Sequence, residues 1–157
     1  MQKIILCCCI ILLFASNKTI AQAKTVKNSY LIILSTKSYT EAKKAAQQAA
    51  ETLDIDLNLR ELEPNKKTGL SIKKEAATDG TAFPYYALRD KFADGIYASI
   101  EWSSGYKGFA KGYFIVVVDS GSPYDVLCYY NAQVKERYKN AYVKNARSEE
   151  RRVGKEC

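Results

Sequence analysis

The chain repeats one strand–helix–strand plan, and this repeat limits the folds open to it more than any other feature. Residues 30–54 hold an apolar run, a short polar joint and an alanine-rich amphipathic stretch, and residues 113–138 follow the same order. Both copies begin at a tyrosine, and these tyrosines are 83 residues apart. Each copy leads into a short alternating segment, at Asp56–Leu62 and at Ala141–Ala146. Two such units in one small chain predict a single α+β domain.

The strands and helix starts within each copy are marked by residue type. Tyr30–Leu34 and Phe114–Val118 are apolar runs rich in β-branched residues, which is typical of buried strands. Ser38 opens a capping box and predicts the start of the first helix. Ser122 and Pro123 predict the start of the second helix. We expect the two apolar strands to lie side by side.

A doubled strand–helix–strand unit favours the ferredoxin-like β-α-β-β-α-β arrangement, a four-stranded antiparallel sheet with both helices on one face. In this prediction Asp56–Leu62 is the second strand and Ala141–Ala146 the last. The copies are separated by an insert at about 64–112, in which residues 65–82 are polar and predict a loop. Ile96–Trp102 alternates like a further strand, which would extend the sheet or cover part of its other face.

Both ends of the chain differ from the region between them. Residues 1–23 have an early lysine, an apolar stretch and Ala21-Gln22-Ala23, and so predict a cleaved export signal. Residues 147–157 read RSEERRVGKEC and resemble a translated sequencing adapter, which predicts a non-native tail. The expected domain is therefore 24–146, periplasmic or secreted, with no membrane span after signal cleavage.

Composition narrows the classes of partner and chemistry. Residues 24–146 contain 18 Lys and Arg against 14 Asp and Glu, a net charge of about +4, and these cations are spread along the chain. This does not indicate nucleic-acid binding. The chain has no histidine, and Cys128 is the one cysteine between the two end segments, so we expect no metal site, no cofactor and no internal disulfide. A partner for Cys128 beyond this sequence stays open.

The doubled plan resembles the SPOR (sporulation-related repeat) domain of bacterial cell-envelope proteins. Members of that family carry an aromatic-led strand, a small or polar joint, a helix rich in Ala, Lys and Glu and a second strand. Tyr30–Leu62 resembles the first half of the family's domain and Tyr113–Ala146 the second, about 67 residues together. The insert is longer than the link usual in the family. The resemblance implies the β-α-β-β-α-β fold and binding of peptidoglycan, with a preference for glycan strands stripped of stem peptides.

The insert and the start of the second copy offer residues suited to such a ligand. Aromatic faces stack on sugar C–H groups, and the muramic acid carboxylates of stripped glycan favour cations nearby. The predicted contact residues are Tyr97, Trp102, Tyr106, Lys107, Lys111 and Tyr113. On a strand, Tyr97 and Trp102 have opposite parity, so one of them is expected in the core.

Catalytic patterns are weak. Without histidine a serine nucleophile needs a lysine base, and the one S-x-x-K match, Ser104 to Lys107, lies in a glycine-broken turn. Glu101 and Asp119 could pair as acid and base, as could many other carboxylates. We therefore expect no enzyme and no catalytic residue.

The leading expectation is an exported, non-enzymatic envelope module that binds peptidoglycan glycan. The alternative is a secreted protein–protein interaction or inhibitor domain that uses the insert as its contact surface. A structural domain without a ligand is the third possibility. The sequence does not indicate an oligomeric state.

Overall fold

The structure, a computed structural model, describes residues 27–77, 83–89, 95–122 and 124–148. The predicted export signal lies outside these residues, as does the predicted tail except for Arg147 and Ser148. Within them, the strands and helices follow in the order β1 Lys27–Thr36, α1 Tyr39–Leu53, β2 Leu62–Asn65, β3 Gly69–Ile72, β4 Gly95–Trp102, β5 Tyr106–Lys107, β6 Phe114–Ser120, α2 Tyr124–Arg137 and β7 Tyr142–Ser148. The α+β class is confirmed.

The two apolar strands are neighbours, as predicted. In β1 and β6, Tyr30 lies opposite Ser120 and Leu34 opposite Val116, in an antiparallel pair. The main sheet has the order β4-β6-β1-β7-β5, and its pairings are antiparallel. Two of its three interior strands, β6 and β1, are the ones whose sequences lack alternation, which is expected of strands that are covered on both faces.

The prediction of a sheet strand at Asp56–Leu62 is wrong. This segment contributes one isolated parallel bridge, between Leu57 and Ala98. Arg60 and Glu61 then have φ angles of 51° and 53°, in the left-handed region, and turn the chain away from the sheet. The strand that pairs with β6 on the side away from β1 is β4, which the alternation of Ile96–Trp102 predicts.

A second sheet is a hairpin that includes part of the predicted loop. β2 and β3 pair antiparallel from Leu62 opposite Ile72 to Asn65 opposite Gly69. The Asn65 side chain accepts hydrogen bonds from the backbone N–H groups of Lys67 at 2.9 Å and Thr68 at 3.3 Å, which closes the turn.

Both helices contribute to one hydrophobic core on one face of the main sheet. Ser38 caps α1 by accepting from the N–H of Glu41 at 3.3 Å, as the capping box predicts. Alanines on α1 allow its backbone to approach the sheet closely, because they carry no long side chain. The core combines sheet, helix and hairpin residues: Leu31, Ile33, Ala42, Ala46, Ala49, Leu70, Ala98, Val116, Val118, Leu127 and Val134.

The other face of the sheet is covered by the chain itself. A second buried cluster joins strand residues to the segments before and after β4: Tyr30, Ile32, Leu88, Tyr106, Phe109, Ile115 and Val117. Because these residues are no more than 9% exposed, this face does not present an open platform to a ligand.

Candidate functional site

The structure separates the six predicted contact residues into three groups. Tyr97 and Tyr106 are buried, 8% and 2% exposed, whereas Trp102 and Tyr113 are half-buried and Lys107 and Lys111 are exposed. Burial thus distinguishes the two tyrosines that belong to the core from the residues available to a ligand.

The two buried tyrosines fill the space between the sheet and its covering segments. The Arg89 guanidinium carbon lies 3.5 Å from the centroid of the Tyr97 ring. The Tyr106 ring centroid is 5.0 Å from that of Tyr30 and 5.7 Å from that of Phe109. A sugar cannot reach either ring in this structure, because protein atoms occupy the space around both. Neither tyrosine is available as the stacking residue that the sequence predicts.

Lys107 lies apart from the other predicted contacts. It belongs to β5, where it pairs with Arg147 of β7. Trp102 and Tyr113 lie at the opposite end of the sheet, where β4 ends and β6 begins.

The remaining predicted residues, Trp102, Lys111 and Tyr113, lie at or next to that end of the sheet, which we call the aromatic–lysine end and define as these three residues and Lys37. The ammonium of Lys37, in the joint between β1 and α1, lies 5.5 Å from the centroid of the Tyr113 ring. This distance is typical of a cation–π contact. Lys37 is the member that sequence reasoning missed. The feature that could have identified Lys37 is its position in the short joint after β1, because β1 is the strand that pairs with β6.

Backbone contacts hold the two aromatic residues of the aromatic–lysine end. The N–H of Ser103 donates to the carbonyl of Tyr113 at 2.9 Å, and the N–H of Tyr113 donates to the Ser103 hydroxyl at 2.9 Å. The Trp102 ring centroid lies 4.8 Å from that of Phe114. These contacts hold Trp102 and Tyr113 at neighbouring strand ends but on opposite faces of the sheet, because Trp102 packs against the core that contains Phe114 and Tyr113 against the cluster that contains Ile115.

A buried polar cluster lies on the covered face, centred on Glu101. The Glu101 carboxylate is fully buried and accepts hydrogen bonds from the Tyr86 hydroxyl at 2.7 Å, the Tyr106 hydroxyl at 2.8 Å and the Ser99 hydroxyl at 3.1 Å. It also forms an ion pair with Arg60. Burial, followed by the nearby Glu101 charge, raises the pKa of Tyr86 well above its ordinary value.

Arg60 reaches Glu101 from the turn that displaces the expected second strand. The Asn58 side chain accepts from the Arg60 N–H at 3.0 Å and stabilises this left-handed turn. The guanidinium also donates to the carbonyl of Ala87 at 2.8 Å. Burial lowers the pKa of Arg60, but the Glu101 carboxylate, Tyr86 and Tyr106 together raise it by more, and the net pKa is raised.

Arg89 is fully buried in the same cluster, on the other side of Ser99. Its guanidinium donates to the hydroxyls of Ser99 at 2.8 Å and Ser120 at 2.7 Å. It also donates to three carbonyls, at 2.6 to 3.1 Å, those of Gly95, Tyr97 and Val117. Burial lowers the pKa of Arg89, and nearby tyrosines and carboxylates oppose this effect. No sequence signal predicts this role, because Arg89 stands alone in a segment without periodicity.

This arrangement holds segments together and leaves the Glu101 carboxylate with no oxygen facing solvent. Asp119 does not lie beside it, since Glu101 is opposite Ile115 and Asp119 opposite Ile96 in the same pair of strands. Four residues of strand separate the two positions, roughly 13 Å. The acid–base pairing of Glu101 with Asp119 is therefore wrong. Among the described residues, no group of three or more His, Cys, Asp or Glu side chains is placed to hold a metal ion.

No family model, no curated protein and no solved structure matches this chain. The resemblance to SPOR domains therefore rests on the residues that carry it and stays a prediction. No helix among the described residues is long and apolar enough to cross a membrane.

Proposed function

We propose that this chain is an exported, non-enzymatic module of the bacterial cell envelope that binds peptidoglycan glycan strands, in the periplasm or after secretion. Contact is made by the aromatic–lysine end. The observation that carries the proposal is the Lys37 ammonium above the Tyr113 ring, at the end of the sheet where the half-buried Trp102 lies on the other face. This combination suits a stripped glycan strand, which offers sugar C–H groups to aromatic rings and carboxylates to lysines.

The proposal includes a SPOR-like, ferredoxin-like fold in which β4 is the second strand of the first half. The order β4-β6-β1-β7 and the antiparallel pairings support it, because both helices then connect strands by crossovers on one face. The buried cluster on the other face supports placing glycan contact at the aromatic–lysine end instead of on the open face of a sheet.

A co-sedimentation experiment with purified sacculi, with and without amidase treatment, tests the proposal. We expect the protein to sediment with both and more strongly with amidase-treated sacculi, because removal of stem peptides exposes the carboxylates. The double variant Lys37→Glu/Lys111→Glu should lower the sedimented fraction about tenfold, since two attractive contacts become repulsive. Both lysines are exposed, so the fold should be retained.

The matched control is Lys43→Glu/Lys44→Glu, which makes the same charge change on the exposed side of α1. It should sediment like the unaltered protein. Failure to sediment with either preparation would refute glycan binding, whereas equal loss in both double variants would show that net charge alone drives the association.

A further inference from the structure

The two long edges of the main sheet are covered to different extents by other parts of the chain. At the β4 edge, the N–H of Ala98 donates to the carbonyl of Asp56 at 2.8 Å, and the N–H of Asn58 donates to the carbonyl of Ala98 at 2.9 Å. The N–H of Trp102 donates to the Tyr86 hydroxyl at 2.9 Å. Segments from either side of the hairpin thus cover this edge and block it to another strand.

The β7 edge is covered over a shorter length. β5 pairs there with Arg147 and Ser148 only. Within the part of the chain that the structure describes, no strand pairs with the outer side of residues 142–146. Tyr142 and Val143 are 39% and 38% exposed on opposite faces of this strand. An uncovered edge with apolar side chains above and below it is the surface that strand addition requires.

Positive charge on and just before this strand indicates the chemistry of its occupant. Residues 137–146 contain Arg137, Lys139 and Lys144 and no Asp or Glu. Arg137 and Lys139 are exposed where α2 leads into β7. The Lys144 ammonium lies 4.8 Å from the centroid of the Phe109 ring, which holds this charge close to the strand.

We propose that the outer edge of β7 is a docking site for an extended, acidic segment of a partner protein, which adds as a strand beside residues 142–146. Backbone hydrogen bonds supply the attraction, and the three cations select carboxylates on the partner. A second copy of β7 fits the edge poorly, because pairing two copies brings cations of the same sign together. The proposal is independent of glycan binding at the aromatic–lysine end.

The experiment uses fluorescein-labelled synthetic peptides and the full chain. One short peptide alternates Val and Thr and carries flanking Glu residues, and its twin carries Lys in place of Glu. By fluorescence anisotropy, we expect the acidic peptide to bind at least about tenfold more tightly than the lysine peptide. Hydrogen exchange should slow at the amides of residues 142–146 when the acidic peptide is bound.

Two variants separate strand addition from general attraction between charges. Arg137→Glu/Lys139→Glu, altered at exposed positions outside the core, should lose affinity for the acidic peptide and gain affinity for the lysine peptide. Lys43→Glu/Lys44→Glu on α1 should change neither affinity. The proposal is overturned by equal binding of both peptides, by absence of binding, by amide protection elsewhere than β7, or by a dimer that the peptide does not dissociate.

Discussion

At the scale of single residues, Glu101 determines how three separate segments are held on the sheet. Its partners come from the turn after α1, from the segment before β4 and from β5, through Arg60, Tyr86 and Tyr106. A buried carboxylate without partners costs several kcal/mol, so such a residue is tolerated only where donors surround it. The positive φ angle of Arg60 strains the backbone of this turn, and the contacts of the Glu101 cluster offset that strain.

We expect Glu101→Gln to lower the free energy of unfolding by about 3 kcal/mol. The amide has nearly the shape of the carboxylate, but it leaves the Arg60 charge uncompensated and turns one acceptor oxygen into a donor. Urea denaturation followed by the fluorescence of Trp102 measures the loss. In the double variant with Arg60→Met, the loss should be smaller than the sum of the single losses, because the two side chains interact.

The exposed Glu136 provides the comparison for this change. Glu136→Gln should alter the free energy of unfolding by less than about 0.5 kcal/mol. A Glu101→Gln loss no larger than that of Glu136→Gln would show that the buried cluster does not hold the covering segments.

At the scale of elements, the β2–β3 hairpin is joined to the main sheet through Gly69. This glycine has a φ angle of +76°, and a Cβ atom placed on it would lie 2.1 Å from Cδ2 of Trp102. The indole therefore packs directly on the hairpin backbone. Trp102 contacts the core and remains half-buried, so part of its side chain is exposed to solvent.

Gly69→Ala should destabilise the protein by more than about 2 kcal/mol, because strain from the left-handed backbone adds to displacement of the indole. Gly108→Ala separates these two effects, since Gly108 has a φ angle of +97° but no atom within 4 Å of the position that a Cβ would take. It should cost about 1 kcal/mol. The emission maximum of Trp102 should shift in Gly69→Ala and stay unchanged in Gly108→Ala; a shift in neither would contradict the packing described.

Strands and helices with a strong hydrophobic period were predictable from the sequence. The segments that cover the second face of the main sheet were not. The apolar runs of β1 and β6, the alternation of β4 and the cap at Ser38 each follow from local sequence. The alternation at Ile55, Leu57 and Leu59 resembles a strand equally well, but the left-handed pair that follows it redirects the chain. Local patterns do not reveal which distant segment fills a face, so the burial of Tyr106 was missed, and the choice between Tyr97 and Trp102 as the core residue stayed open.

The aromatic–lysine end likewise combines residues that are close in sequence with one that only the fold brings near them. Trp102, Lys111 and Tyr113 could be grouped from the sequence because they are close along the chain. Lys37 was not, since its position beside Tyr113 follows from the pairing of β1 with β6 and not from a motif.

At the scale of the whole molecule, burial of tyrosines on both faces of the sheet links folding to alkaline pH. Burial, followed by the charge of Asp119, raises the pKa of Tyr130 to about 12, and burial with the nearby Glu101 raises the pKa of Tyr86 well above its ordinary value. A tyrosine ionises near pH 10 in an unfolded chain. Above that pH the unfolded state loses these protons more readily than the folded state, so stability falls as pH rises.

We expect the free energy of unfolding to stay nearly constant from about pH 8 to about pH 9.5 and then to decrease with a slope that persists toward about pH 12. Tyr130→Phe should reduce that slope at little cost at neutral pH, because the buried Tyr130 hydroxyl has no hydrogen-bond partner among the described residues. Tyr129→Phe, one position away and 69% exposed, should leave the slope unchanged. Urea denaturation at a series of pH values measures all three proteins. Identical slopes for the unaltered protein and Tyr130→Phe would place the alkaline sensitivity elsewhere, whereas stability that rises above pH 10 would contradict the raised tyrosine pKa values altogether.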